Sequence, residues 1–225
     1  MLLVDSADQQ AILHALQFPG VRGFTTNPTL MARAAGVDVL SLDKYVGAAR
    51  KLCKMSADIG SIRHLMIQTV GDADNALRQA ALYVDDLKSA RDKNLWIKLT
   101  PTPASLACCP ALTDMGCASL VTAVFTAAQA YVAMEAGADG VAVYLGRLMR
   151  LESDWEKKLE SIAAIVKSAE RTLLLASFPD RHAVELGLRY SRDVTAPPAV
   201  LAELLESSLS REAINAFDEK VAWKR

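Results

Sequence analysis

A single (β/α)8 barrel with one additional C-terminal helix is the fold this sequence predicts, and three observations predict it. Short apolar runs alternate with amphipathic ones along the chain, giving eight strand candidates each trailed by a helix candidate. The length, 225 residues, fits a compact barrel, which typically takes about 250. The rival, an open doubly wound sheet, expects a glycine-rich phosphate loop after its first strand, and Asp5 to Gln10 carries no glycine.

The elements follow in order. Met1 to Ser6 is a short apolar strand ending at Asp5, and Asp8 to Gln17 reads as a helix stopped by Pro19-Gly20. Val21 to Thr26 is the second strand. It runs into Asn27-Pro28, a cap followed by a proline suited to a first helical turn, where its missing N–H is no loss. Gly36 interrupts that helix, and Ser41 caps another that extends to Ser56. His64 to Val70 is the third strand and Asp72 to Lys93 a long amphipathic helix. Leu95 to Thr100 is the fourth strand, with a helix over Ala104 to Met115. Ala118 to Phe125, Gly140 to Leu145, Thr172 to Phe178 and Asp193 to Pro197 supply the remaining strands. Their helices are Thr126 to Ala136, Ser153 to Ala169, Asp180 to Gly187 and Ala199 to Ser207. No linker or low-complexity stretch divides the chain, so residues 1–225 read as one domain. The segment 210–225 is a helix beyond the barrel, free to pack on a neighbouring subunit.

Composition narrows the function classes. Lysine plus arginine nearly balance aspartate plus glutamate, 25 against 26, which argues against a nucleic-acid or anionic-membrane partner. No apolar run reaches the roughly 20 residues that span a bilayer, and no leader pattern opens the chain, so a cytoplasmic location is expected. Cys53, Cys108, Cys109 and Cys117 lack metal-ligand spacing and suggest no disulfide framework; Cys108 and Cys109 read as buried helix residues. His14, His64 and His182 lie on unlike elements and make no metal site, with His64 opening its strand. Trp155 and Trp223 read as packing residues between helices or subunits, and Lys157-Lys158 as a solvated face.

In a barrel of this kind the site is built where the carboxyl ends of the strands meet their following loops. Those ends deliver Asp5; Thr25, Thr26 and Asn27; Gln68; Lys98; Thr122; Tyr144 with Arg147 just past it; Ser177; and Thr195. Alternation puts Lys98 on the same strand face as Trp96 and Thr100, opposite Leu95, Ile97 and Leu99. A lysine desolvated there has a lowered pKa and some neutral amine near pH 7, able to attack a carbonyl. Taken alone the hexamer favours a strand-end lysine whose head reaches water. The other strand ends reverse that preference. Thr195 reads best as a helix cap, but Asp5, Tyr144 and Arg147 cap poorly, and their convergence around one lysine indicates a carbonyl-handling site.

Several runs then carry a resemblance. Val4-Asp5-Ser6, Thr25-Thr26-Asn27-Pro28-Thr29, Ile97-Lys98-Leu99, Thr122-Ala123-Val124-Phe125 with Ala128-Gln129, Tyr144-Leu145-Gly146-Arg147 and Ala176-Ser177-Phe178 resemble the successive signatures of the transaldolase family. They stand in the family's order and approximate spacing over about four fifths of the chain. The resemblance implies a class I, Schiff-base aldol mechanism with no metal and no cofactor. Lys98 would attack the C2 carbonyl of a ketose phosphate such as fructose 6-phosphate, and Asp5 would serve the hydroxyl of the carbon undergoing cleavage or transfer its proton. Thr25 and Asn27 would hold the dihydroxyacetone hydroxyls, Thr122 would position a water, and Arg147 and Ser177 would bind a phosphate. It also implies a ring-based homo-oligomer, a pentamer or decamer.

Two positions sort the family's branches. Transaldolases proper resemble one another in a glutamate at the end of the third strand and a phenylalanine before the Gly-Arg of the sixth. The fructose-6-phosphate aldolase branch has glutamine and tyrosine, as here with Gln68 and Tyr144. Glutamine cannot accept a proton as a carboxylate does, whereas a phenol can donate one and recover it through water. Aldol cleavage with release of dihydroxyacetone is therefore expected ahead of strict transfer to an aldose phosphate. The basic residue that the family usually places after Ser177-Phe178 is Pro179 here, followed by Asp180. Arg181 and Arg150 are its candidate replacements, and a catalytically weak sugar-phosphate-binding barrel is the alternative reading.

Overall fold

The computed structural model describes residues 1–87 and 94–220. The strands are β1 (Leu2–Asp5), β2 (Val21–Thr25), β3 (His64–Gln68), β4 (Asn94–Leu99), β5 (Ala118–Val124), β6 (Gly140–Tyr144), β7 (Thr172–Ala176) and β8 (Asp193–Ala196). All are parallel and paired in chain order, and β8 returns to β1, so the sheet closes into a barrel. The expected (β/α)8 architecture is what forms.

Alternation sorts the side chains. The outward face of β4, with Leu95, Ile97 and Leu99, joins a continuous apolar layer between strands and helices that includes Phe24, Leu65, Val121, Val143 and Leu175. The inward face builds a smaller core of Leu3, Met66, Leu120, Ala142 and Leu174, with Trp96 packed against it. Leu3, Met66, Leu120 and Leu174 come from alternate strands, the layered filling that makes such a barrel a plugged core rather than a pore. Burying a side chain of this size is worth about 1.5–3 kcal/mol, so each layer contributes strongly to stability.

The helices are α1 (Gln9–Ala15), α2 (Pro28–Ala34), α3 (Leu42–Ala57), α4 (Ala73–Asp86), α5 (Pro103–Leu106), α6 (Cys109–Asp114), α7 (Ala127–Glu135), α8 (Leu145–Leu151), α9 (Trp155–Ser168), α10 (Arg181–Gly187), α11 (Pro198–Glu203) and α12 (Ser208–Asp218). Asp8, Asn27 and Ser41 cap α1, α2 and α3 as their side chains suggest, each accepting a backbone N–H of the first turn. The helix expected over Ala104 to Met115 is instead two pieces. Pro110 has no N–H, and its ring would meet the carbonyl of residue 106, so the chain breaks there and restarts with Pro110 in the first turn of α6. The helix expected from Asp72 is observed to Asp86, its last expected residues falling outside the described ones, as does Trp223. Trp155 is half-buried against the core, and all four cysteines are buried and free. Lys158, read as solvated, pairs with Glu152 and, at 3.1 Å, with Asp154. Among the described residues no helix is long and apolar enough to cross a membrane.

Candidate active site

The inward positions recur two residues further along each strand. Beyond the leucine and methionine layer stand Asp5, Gln68, Thr122 and Ala176 on the odd strands, with Thr25, Lys98, Tyr144 and Thr195 between them on the even ones. Period two thus turns from apolar plug to polar rim at one level of the barrel, at the carboxyl ends.

Lys98 is 3 % exposed, and its Nζ donates to the carbonyl oxygen of Thr26 at 2.9 Å. Burial lowers its pKa below the ordinary lysine value, opposed by the Asp5 carboxylate. Asp5 is shifted the other way. Burial raises its pKa, against the pull of Lys98, of the hydrogen bond from Thr25 and of Arg33. Desolvation is the larger cause in each case, so Asp5 becomes a stronger proton acceptor than a free carboxylate and Lys98 is biased toward its neutral amine. A lysine in that state keeps a lone pair for nucleophilic attack while an N–H still satisfies the Thr26 carbonyl.

Seven of the nine residues singled out from the sequence line one cavity of about 370 Å³: Asp5, Asn27, Gln68, Lys98, Tyr144, Arg147 and Ser177. Asn27 spends its Oδ1 on the α2 cap, accepting from Leu30 N at 3.0 Å, which leaves its Nδ2 donors to the cavity. Thr25 and Thr122 are not among the lining residues. Thr25 Oγ1 donates to Asp5 Oδ1 at 2.7 Å and lies 2.9 Å from Thr195 Oγ1, a chain of hydroxyls behind the carboxyl. Thr195, read from the sequence as a helix cap, is instead a buried member of that chain. Thr122 Oγ1 donates to the Tyr144 hydroxyl at 3.3 Å, so the phenol oxygen accepts from behind and its own proton is free to point elsewhere. The Tyr144 ring is held edge-on by Phe125, centroids 6.1 Å apart, and carries the Arg147 guanidinium 5.6 Å from its centroid.

Backbone irregularity gathers here too. Ala123 (φ 59°) occupies the left-handed region where the β5–β6 register shifts, and Ser177 (φ 66°) does so directly after β7. Such conformations cost of order 1–3 kcal/mol each and persist where the surroundings hold them. Gly146 is one such constraint on Ser177. A Cβ at Gly146 would lie 2.0 Å from the Ser177 carbonyl oxygen and 2.8 Å from Pro179 Cδ. Gly146→Ala is therefore expected to destabilise the protein by about 1–3 kcal/mol in denaturant titration.

Some supporting residues escaped the sequence. Tyr45, buried on α3, donates its hydroxyl to the Gln68 carbonyl and pins the end of β3; burial pushes its phenol up, so it remains a donor. Arg33 on α2 lines a second, outer cavity of about 800 Å³ that shares Asp5, Leu30, Arg147 and Ser177 with the first. Its spacing of six residues from Asn27 was visible, but nothing marked which side of the helix met the site. Of the two candidate replacements for a basic residue at position 179, Arg150 lines that outer cavity. Arg181 is committed to the Glu206 carbonyl and, at 3.3 Å, to the Glu185 carboxylate.

The solved 2,3-dimethylmalate lyase shares the fold at 12 % identity, with a TM-score of 0.61 over 100 % of this chain and 85 % of its own. A probable transaldolase of Geobacter metallireducens is 30 % identical over 217 residues, covering 95 % of this chain and 94 % of the relative. A probable transaldolase 2 of Bacillus cereus is 29 % identical over 218 residues, with the same coverage. Residues 2–224 match the family described as transaldolase/fructose-6-phosphate aldolase, so nearly the whole chain is accounted for by one enzyme family. The chain belongs to the transaldolase/fructose-6-phosphate aldolase family.

Proposed function

We propose that the chain is a class I aldolase acting on a ketose phosphate such as fructose 6-phosphate, through a Schiff base on Lys98. The observation that carries this reading is a nearly fully buried amine, biased toward its neutral form, in a cavity it shares with Asp5, Asn27, Gln68 and Tyr144. Lys98 adds to the C2 carbonyl, and the carbinolamine loses water to give a protonated imine. That imine takes up the electron pair of the breaking C3–C4 bond as the C4 hydroxyl gives up its proton, toward Asp5. The aldehyde leaves and an enamine of dihydroxyacetone remains. Tyr144 then delivers a proton to the enamine carbon, its oxygen steadied by the Thr122 hydroxyl, and water hydrolyses the imine to free dihydroxyacetone. Asn27 Nδ2 holds the dihydroxyacetone hydroxyls, and Thr25 acts through Asp5. Borohydride added with dihydroxyacetone should fix a stable mass increment on the peptide containing Lys98; an unmodified peptide would leave a binding barrel as the better description.

The names of the relatives favour a second reading, transfer of the dihydroxyacetone unit to an aldose phosphate. Gln68 and Tyr144 favour release. Comparing free dihydroxyacetone with transfer to erythrose 4-phosphate in one reaction separates the two.

A homo-oligomer is part of the same reading. Helix α12 buries none of its residues, and Leu209, Ile214 and Phe217 are 76 %, 55 % and 70 % exposed. An amphipathic helix with an uncovered apolar side fits packing on a neighbouring copy in a ring. Replacing Leu209 and Phe217 with aspartate is expected to lower the mass measured by light scattering to that of a smaller assembly. An unchanged mass would remove α12 from the interface.

A further inference from the structure

We infer that Thr195, acting through Thr25, is a positioning residue for the aldol step, holding one oxygen of the Asp5 carboxylate inside the barrel so that the other faces the substrate. The inference rests on the aldolase reading, since it names what orients the group that takes the C4 proton.

The three side chains stand on adjacent strands. On one side β1 pairs with β2, where Asp5 is level with Thr25; on the other it pairs with β8, where Thr195 is level with Leu3. Thr25 and Thr195 thus flank β1, and their hydroxyls meet at 2.9 Å inside the barrel. The strand alone does not account for a hydroxyl at position 195. A site 1 % exposed, beside the apolar layer of Leu3, suits valine as well, and a buried hydroxyl is costly without a partner. Nor does Thr195 serve the helix that follows, because α11 has no side-chain cap.

Counting protons gives the chain a direction. Ionised Asp5 can only accept, so Thr25 spends its single hydroxyl proton on Asp5 Oδ1, at 2.7 Å. Thr25 Oγ1 can then only accept from Thr195, which makes Thr195 the donor of the 2.9 Å contact. The Thr195 hydroxyl makes no other hydrogen bond among the described residues, so Thr25 is also what satisfies its buried proton. A hydroxyl that accepts a hydrogen bond donates a stronger one, and Thr195 therefore tightens the hold of Thr25 on the carboxylate.

The consequence falls on the other oxygen. Asp5 Oδ2 makes no hydrogen bond among the described residues, while Asp5 lines the cavity that holds Lys98. The C4 hydroxyl proton passes to Oδ2 as the C3–C4 electron pair moves to the protonated imine and the C4–O bond becomes the carbonyl of the departing aldehyde. A carboxylate free to rotate would offer that oxygen only part of the time. Neither threonine lines the cavity, so each acts through Asp5 and not on the substrate.

The test follows cleavage of fructose 6-phosphate by wild type, Thr195→Ser, Thr195→Cys and Thr195→Val. Valine keeps the shape and removes the donor, so kcat is expected to fall about tenfold while KM changes less than about twofold. Serine should recover most of the rate, and cysteine, a weak donor, should fall between. A role in packing alone would order the variants by stability, read by denaturant titration of the same samples, and leave kcat unchanged. The acid limb of the kcat profile should move to higher pH in Thr195→Val, because the hydrogen bond from Thr25 that lowers the Asp5 pKa is weakened. In a Thr25→Val background Thr195→Val should cost nothing further, and an equal loss in both backgrounds overturns the path through Thr25. Borohydride trapping of dihydroxyacetone on Lys98 does not require the C4 proton transfer and should match wild type in every Thr195 variant. No adduct in wild type would remove the aldolase reading and this inference with it. A normal adduct, with kcat and pH profile unchanged in Thr195→Val, overturns the inference alone.

Discussion

Lys98→Ala is expected to lower aldol cleavage at least about 10³-fold while the barrel stays folded, because no neighbouring group can take over the covalent step. Lys98→Met sharpens the result. A buried amine is tolerated here at the expense of stability, and an apolar side chain of similar length removes that desolvation penalty. The methionine variant is expected to be about 0.5–2 kcal/mol more stable in denaturant titration and inactive. Greater stability with lost turnover is the pattern of a residue retained for chemistry, whereas lost stability with lost turnover would mark a structural lysine. The sign of the pH dependence follows from the same pair. The folded-state pKa of Lys98 lies below 10.5, so between those two values the unfolded chain binds the additional proton and stability rises with pH. Adduct formation should titrate with an apparent pKa below that of an ordinary lysine. In Asp5→Asn it should move lower still, because the carboxylate that supports the ammonium is gone. A rise on removing Asp5, read from the pH profile of borohydride trapping, would mean that the two groups do not interact as described.

The barrel was legible because each βα unit carries its own local signals: apolar strands, capping residues at Asp8, Asn27 and Ser41, and a proline in the first turn of α2. What escaped was governed by contacts between distant segments or by elements without such signals. Helix α8 starts at Leu145 directly after Tyr144 with no side-chain cap, so nothing in the sequence announces it, and Arg147 reads only as lying just past the sixth strand. Thr195 has the composition of a cap and becomes a barrel hydroxyl because its strand alternates inward, 170 positions from its partner Thr25. Lys98, Gln68 and Tyr144 were legible as strand ends. Thr25 and Thr122 were legible too, but their place behind Asp5 and Tyr144 depends on which side chain reaches the cavity first, a matter of packing. Arg33 lacked even that much, since a basic residue near a helix C-terminus is what the dipole favours on any helix.

Tyr144→Phe is expected to slow release of dihydroxyacetone about 10²-fold and to raise the share of turnover that ends in transfer to erythrose 4-phosphate. The variant removes one oxygen and little else. Phe125 can still pack edge-on against the ring and Arg147 can still lie over it, so the shape of the cavity is preserved. What changes is the fate of the enamine. On the proposed mechanism the hydroxyl lets a proton reach the enamine carbon and water complete release; without it the enamine would wait, and an aldehyde that arrives first would capture it. Borohydride trapping should therefore persist in Tyr144→Phe while steady-state release falls. Thr122→Val tests the same path at one remove. The valine cannot donate to the phenol oxygen, so release should fall by less, about tenfold, and only when Tyr144 is present. If Thr122→Val costs as much in the Tyr144→Phe background as in wild type, the threonine does not act through the tyrosine. Equal ratios of release to transfer in wild type and Tyr144→Phe would assign the proton to another group, and Gln68, whose amide holds no proton to spare as an acid, is a poor candidate for it.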